Sequence, residues 1–373
     1  MPASSIKKSF IFPERQIIED PLNATHTLNC HNQVLLIYTG GTIGMGRNPA
    51  SGALEPLDFK SLVANMPEFD AIPVRVDVHQ FAAPIDSSDM NPQLWAQIAT
   101  IIADHFDRYD GFVILHGTDT MAFTASALSY MLQNLTKPVI LTGSQLPIGQ
   151  LRTDGRENLI TSIEIAAAHH PDGKPMVPEV CIYFSGRLLR GNRATKMNAD
   201  GFNAFDSFNY PHLADAGVSI VYHEEHILHP DYSKSLQVYT TMDTNVMVFT
   251  LFPGIQQSLV HSIVNIPQLR SIVMRTYGSG NAPTLPWLMT MLHEATERGV
   301  NIVNISQCAA GTVEMARYDT GFQLKSAGVI SGYDSTVESA VAKLMHLQGR
   351  YDDPQQIRAL MNQSLCGELT LPL

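Results

Sequence analysis

Val34-Leu35-Leu36-Ile37-Tyr38 runs directly into Thr39-Gly40-Gly41-Thr42-Ile43-Gly44. The apolar run is too short for a helix, is rich in branched and aromatic residues, and stops at two glycines. A strand buried on both faces of a parallel sheet reads this way. The same phrase recurs at Gly111–Leu115, Val139–Leu141 and Val180–Phe184, each ending in a Gly/Ser/Thr loop. Helical patterns lie between them. Asn91-Pro92 opens one, with Leu94, Ile98, Ile101 and Ile102 on one stripe, and Met121–Leu132 forms another, with Thr120 as its cap. Strands alternating with helices imply an α/β sheet, whose ligands bind beyond the carboxyl ends of the strands.

Around 211–240 the rhythm dissolves into Pro211, Pro230 and scattered charges, as a linker would. It returns at Val246–Leu251, Ser271–Met274 and Val300–Ile305, with helices near 285–298 and 335–348. Residues 1–32 are polar, turn-prone and without periodicity, and read as an extension. The expected fold is therefore α/β and two-domain. A larger N-terminal, parallel-rich sheet flanked by helices (33–210) precedes a smaller C-terminal α/β domain (241–373).

The 373 residues are too many for one ordinary core. With 45% hydrophobic and 16% charged residues the chain reads as globular. Its formal charge of −11 repels phosphate backbones, so nucleic acid is not an expected partner. The basic run Arg187, Arg190, Arg193 and Lys196 reads either as an anion site or as solvated loop charges. Cys30, Cys181, Cys308 and Cys366 form no Cys-x-x-Cys pair, which points to a reducing compartment rather than zinc or disulfides. No apolar stretch reaches signal-peptide or membrane-span length. A soluble, cytoplasmic protein is expected.

The candidate chemistry lies in the loops after the strands. Glycines in Thr39–Gly44 let backbone and ligand approach closely and leave the Thr42 hydroxyl at the strand's carboxyl end. The spacing is not the G-x-G-x-x-G of dinucleotide sites, and the lysine of a phosphate loop is missing. His116-Gly117-Thr118-Asp119-Thr120 places a second threonine and a carboxylate on the same rim, at a helix N-terminus that favours negative charge. His116 reads as a base or as a histidine satisfied by its loop. Asp86-Ser87-Ser88-Asp89 suits a substrate carboxylate, or simply caps the next helix through Asp89 or Asn91. Lys196 in isolation is a surface charge; as a base it would have to be uncharged. His223, Glu224, Glu225, His226 and His229 look metal-like but lack His-Glu-x-x-His spacing, so neither metal nor cofactor is expected.

Taken together, Thr39–Gly44, Asp86–Met90, His116–Thr120, Thr142–Gln145 and Gly191–Lys196 stand in the order and spacing of the bacterial type I, cytoplasmic L-asparaginases, which the chain resembles from about residue 33 to 370. The phrases Met66–Phe69, Gly201–Phe205, Gly278–Pro283 and Gly367–Thr370 match as well. The resemblance implies hydrolysis of L-asparagine to L-aspartate and ammonia. Thr42 would be the nucleophile forming an acyl-enzyme ester, with Thr118, Lys196 and Asp119 as second threonine, base and orienter. Asp119 would also hold the substrate's α-amino group, and Ser87 and Ser88, beside Asp86, its α-carboxylate.

The resemblance further implies a homodimer or homotetramer, and an asparagine effector site at Arg275, Asn281 and Cys308. Packing is the competing account of those three residues. One feature departs from the family: residues 43–56 contain no tyrosine where a lid usually carries one. Tyr38 precedes the loop, but from inside a strand it is expected to have no reach. Two other readings stay open. An amidotransferase subunit acting for charged transfer RNA would need a longer N-terminal domain than 32 residues. A binding-only module would rest on the missing tyrosine alone.

Overall fold

The structure is a computed structural model that describes residues 17–18, 32–47, 54–56, 58–63, 66, 69, 71–317 and 319–371. Cys30 and residues 48–53 of the expected lid lie outside these, as does most of the 1–32 extension. Strand β1 (Gln33–Gly40) pairs in parallel with β2 (Arg75–Ile85) on one side and β3 (Gly111–Leu115) on the other. Beyond β3 the sheet continues in parallel through β4 (Val139–Thr142) and β5 (Val180–Phe184). Side chains alternate across each strand, so β1 sends Leu35 and Ile37 into one core layer, and Val34, Leu36 and Tyr38 into the other. Helices α1 (Pro92–Asp104) and α2 (Met121–Met131) cover the first face, and α3 (Gly155–Ala167) the second. Burial on both faces is what the unbroken apolar runs required.

Strand β2 and helix α3 escaped the sequence reading. Asp77 sits fully buried inside β2, where Arg75, Arg108 and Tyr109 satisfy it. A charge in mid-strand disguises the pattern. Helix α1 starts as expected, because Asn91 Oδ1 accepts from the N–H groups of Gln93 and Leu94. Thr120 differs from expectation. It stands at the N-cap of α2, but its hydroxyl donates to Ser87 O at 2.6 Å and makes no cap bond.

The expected linker carries short strands. Ala214–Ala216 and Ile220–Tyr222 extend the first sheet as antiparallel strands beyond Arg187–Arg190, and Gln237–Val238 pairs with Leu132–Gln133. Strands of two or three residues at a half-exposed edge leave no periodic trace. Among the described residues the first sheet has nine strands. The second is all-parallel, from β6 (Val246–Thr250) through β7 (Ser271–Thr276) and β8 (Asn301–Ser306) to β9 (Ile330–Ser331).

Helix α4 (Val337–Arg350) joins the two units: Tyr130 and Ser339 share a 2.6 Å hydrogen bond, and Ala342 enters the first core. The C-terminal segment then returns to the first domain. Arg190 and Arg193 both donate to Gly367 O, Arg193 also pairs with Asp334 at 2.8 Å, and Lys343 pairs with Glu368 at 2.7 Å. No helix among the described residues is long and apolar enough to cross a membrane.

Candidate active site

Three loops meet at the carboxyl ends of β1, β2 and β3, and glycines let them approach closely. At Gly41 (φ +92°) an added Cβ would lie 2.6 Å from Gly117 N, and at Gly117 it would lie 2.6 Å from Ser87 Oγ. Neither position tolerates a side chain without moving its neighbour. That contact sets Thr42, which opens a 3-10 turn to Gly44, beside the 116–120 loop that carries Thr118. Ser87 and Thr118 are buried, Thr42 is half-buried, and Ser88 and Asp119 are exposed.

Lys196 comes from 78 residues further on, in the short strand pair Thr195–Lys196 with Phe205–Asp206. Its Nζ donates to Thr118 Oγ1 at 2.8 Å and to Asp119 Oδ1 at 2.6 Å. The lysine side chain is 17% exposed and the aspartate 65%. So exposed an ion pair contributes about 0–1 kcal/mol to stability, and its effect lies in aiming the amine. The anchors of this strand are buried. Arg193 is held by Asp334 and Gly367, and Thr195 Oγ1 donates to Glu338 Oε1 at 2.6 Å. Three members of the basic run are paired with carboxylates, Arg190 with Glu179, Arg193 with Asp334 and Lys196 with Asp119, while Arg187 is solvated, 3.6 Å from Asp206.

His116 is not placed to act as a base. It is buried, and since the Gly117 carbonyl can only accept, Nδ1 carries the proton in their 2.6 Å contact. Nε2 then accepts from Thr124 Oγ1, which accepts in turn from Trp95 Nε1. Burial pushes the imidazole down to about 4. In the 86–89 turn, Asp86 Oδ1 accepts from Ser88 N, which holds this exposed carboxyl below its usual range.

Tyr38 reaches further than expected. The chain folds back after Gly41, so the buried Tyr38 hydroxyl donates to Gly44 O at 3.5 Å, beneath the Thr42 turn. Burial pushes that phenol up to about 12. Gln145, given no role above, accepts from Thr118 Oγ1 at 3.4 Å and donates to Gly201 O at 3.0 Å. Only its place in the motif Thr142–Gln145 signalled it.

Of the three expected effector residues, Arg275 lies within β7, Asn281 follows it and Cys308 follows β8. Asn281 Oδ1 accepts from Thr320, and Cys308 is exposed. Arg275 Nε and Glu338 Oε2 are buried with no hydrogen-bond partner among the described residues. Burial pushes the Glu338 carboxyl up, and the Arg275 charge opposes part of that. In the metal-like stretch, His223 Nε2 lies 2.9 Å from Asp215, which His212 also approaches at 3.0 Å.

One hydroxyl, an amine and a carboxylate meet at the N-terminus of α2, with Thr42 on the adjoining turn; residues of these types can serve acyl transfer. The family model described as "Asparaginase, N-terminal" matches residues 33–228, and that described as "Glutaminase/Asparaginase C-terminal domain" matches residues 245–361. The chain is 45% identical over 344 residues to L-asparaginase 1 of Escherichia coli, covering 90% of this chain and 98% of that protein. The L-asparaginase I structure from Vibrio cholerae superposes with TM-score 0.83 at 42% identity, over 91% of this chain and 99% of the other. The thermostable L-asparaginase of Thermococcus kodakarensis gives TM-score 0.82 at 30% identity, over 91% and 100%.

Proposed function

Because the chain belongs to the asparaginase family, with both family domains in order, we propose that it hydrolyses L-asparagine to L-aspartate and ammonia through an ester on Thr42. The Thr42 hydroxyl attacks the side-chain amide carbon. The C–N bond breaks, the nitrogen leaves as ammonia with the hydroxyl's proton, and water cleaves the ester to regenerate Thr42. The reaction balances with water as sole co-reactant. A threonine hydroxyl is a weak nucleophile and needs a neighbouring base. Thr118 and Lys196 supply that proton path, and Asp119 aims the lysine. The exposed Asp119 carboxylate also suits the substrate's α-ammonium. Ser87 and Ser88, in the turn capped by Asp86, suit its α-carboxylate.

The observation that carries this reading is the position of Lys196 Nζ, within hydrogen-bond reach of both Thr118 and Asp119. The test is ammonia release from asparagine and from glutamine by the purified chain. Release well above the no-enzyme background is expected, and its absence from both amides would overturn the reading.

The same reading places the protein in the cytoplasm as a homodimer or homotetramer. It also assigns Arg275, Asn281 and Cys308 to an asparagine effector site. Its support is the family membership, together with the 2.6 Å bond that ties Thr195, beside Lys196, to Glu338 of the second domain. A sigmoidal rate curve in asparagine is expected; a strictly hyperbolic one counts against the effector site.

A further inference from the structure

We infer that Gln145 is a positioning residue for the proposed reaction, holding the Thr118 side chain beside Lys196 at rest and tying the 198–203 turn to the site. The inference rests on the asparaginase reading for its catalytic consequence, but its geometry stands alone. A hydroxyl has one proton. With a Lys196 N–H directed at Thr118 Oγ1, that proton must go elsewhere, and Gln145 Oε1 accepts it.

The amide cannot turn over. Its Nε2 is committed to Gly201 O, and its backbone N–H to the Asp154 carboxylate at 3.0 and 3.1 Å. Gly201 is itself fixed, because Asn198 Oδ1 accepts from the N–H groups of Asp200 and Gly201. One side chain therefore links the loops after β3, β4 and the Lys196 strand.

This gives Thr118 two hydrogen-bond states. At rest its O–H points at Gln145 Oε1. For Lys196 to take that proton, the amine must be uncharged and the O–H must swing from Oε1 to Nζ. A 3.4 Å bond to a neutral amide is long, so the swing costs little. A carboxylate in its place would hold the proton harder, favour the ammonium, and face the Gly201 carbonyl without a donor.

The test uses Gln145→Leu and Gln145→Glu in the full chain. Gln145→Leu is expected to lower kcat at least about tenfold with KM within about twofold, since the amide touches Thr118 rather than substrate. Gln145→Glu is expected to move the rising limb of the pH–rate profile up by about half a unit or more. A superimposable profile, or a loss confined to KM, would overturn the proposal. Methyl-labelled threonine NMR reads the geometry without turnover. The Thr118 methyl should show one side-chain rotamer in wild type and averaging in Gln145→Leu, and an unchanged signal overturns the proposal whether or not the chain is active. A wild type that releases no ammonia defeats the asparaginase reading alone.

Discussion

Thr195 Oγ1 donates to Glu338 Oε1 across the domain boundary at 2.6 Å, one residue before Lys196. The second domain therefore helps hold the candidate base, although nothing in local sequence around Lys196 refers to residue 338. The carboxylate that does this is itself strained by burial. It is 6% exposed, its other oxygen has no hydrogen-bond partner among the described residues, and its carboxyl is raised.

The raised Glu338 carboxyl carries a pH signature. An acid whose folded pKa exceeds its unfolded value binds more protons when folded, so its contribution worsens as pH rises through that interval. Glu338→Gln keeps an oxygen for Thr195 and removes the buried charge. Its melting temperature should exceed wild type at pH 7, and the gap should close as the pH falls toward 4. Thermal melts across that range check both parts.

Histidine 116 acts in the opposite sense. Its imidazole is held down to about 4, so the unfolded chain binds the extra proton and stability falls as pH drops from about 6.5 to 4. His116→Gln should flatten that acid limb in urea titrations. It should cost stability by about 1–3 kcal/mol through the broken Gly117 and Thr124 bonds, yet lower kcat less than about tenfold. A far larger loss of kcat at unchanged stability would return His116 to the candidate bases.

The C-terminal clamp depends on an ion pair with almost no solvent contact, Lys343 being 1% and Glu368 0% exposed. Glu368→Ala leaves the ammonium with only the carbonyls of Met361 and Gln363, and also frees the N–H groups of Leu365 and Cys366. Breaking one partner of such a pair costs about 3–5 kcal/mol. Urea unfolding should show that loss. A loss below about 1 kcal/mol would mean that water or a new partner replaces the carboxylate.

The sheet was legible because β1, β3, β4 and β5 are buried on both faces and so appear as unbroken apolar runs. Asp77 in β2 concealed a strand, and the edge strands within 214–222 were too short and too exposed to register. Within the site, the rim threonines followed from where glycine-terminated strands stop. Lys196 was recoverable only through family resemblance, since its meeting with Thr118 spans 78 residues of chain. Gln145 stood only inside a matching motif and Tyr38 only beside the loop, with no role for either. Their roles depend on which loop folds back over which, and spacing does not encode that.

Thr42 and Thr118 are proposed to act as one catalytic unit. Ammonia release from asparagine should be measured side by side for wild type, Thr42→Ala and Thr118→Ala, with rapid-quench mass spectrometry to look for acylated peptide. Each alanine variant is expected to lose at least about 100-fold in rate, and any trapped ester to map to Thr42. Near-normal turnover by Thr42→Ala, or an ester on another residue, would contradict it.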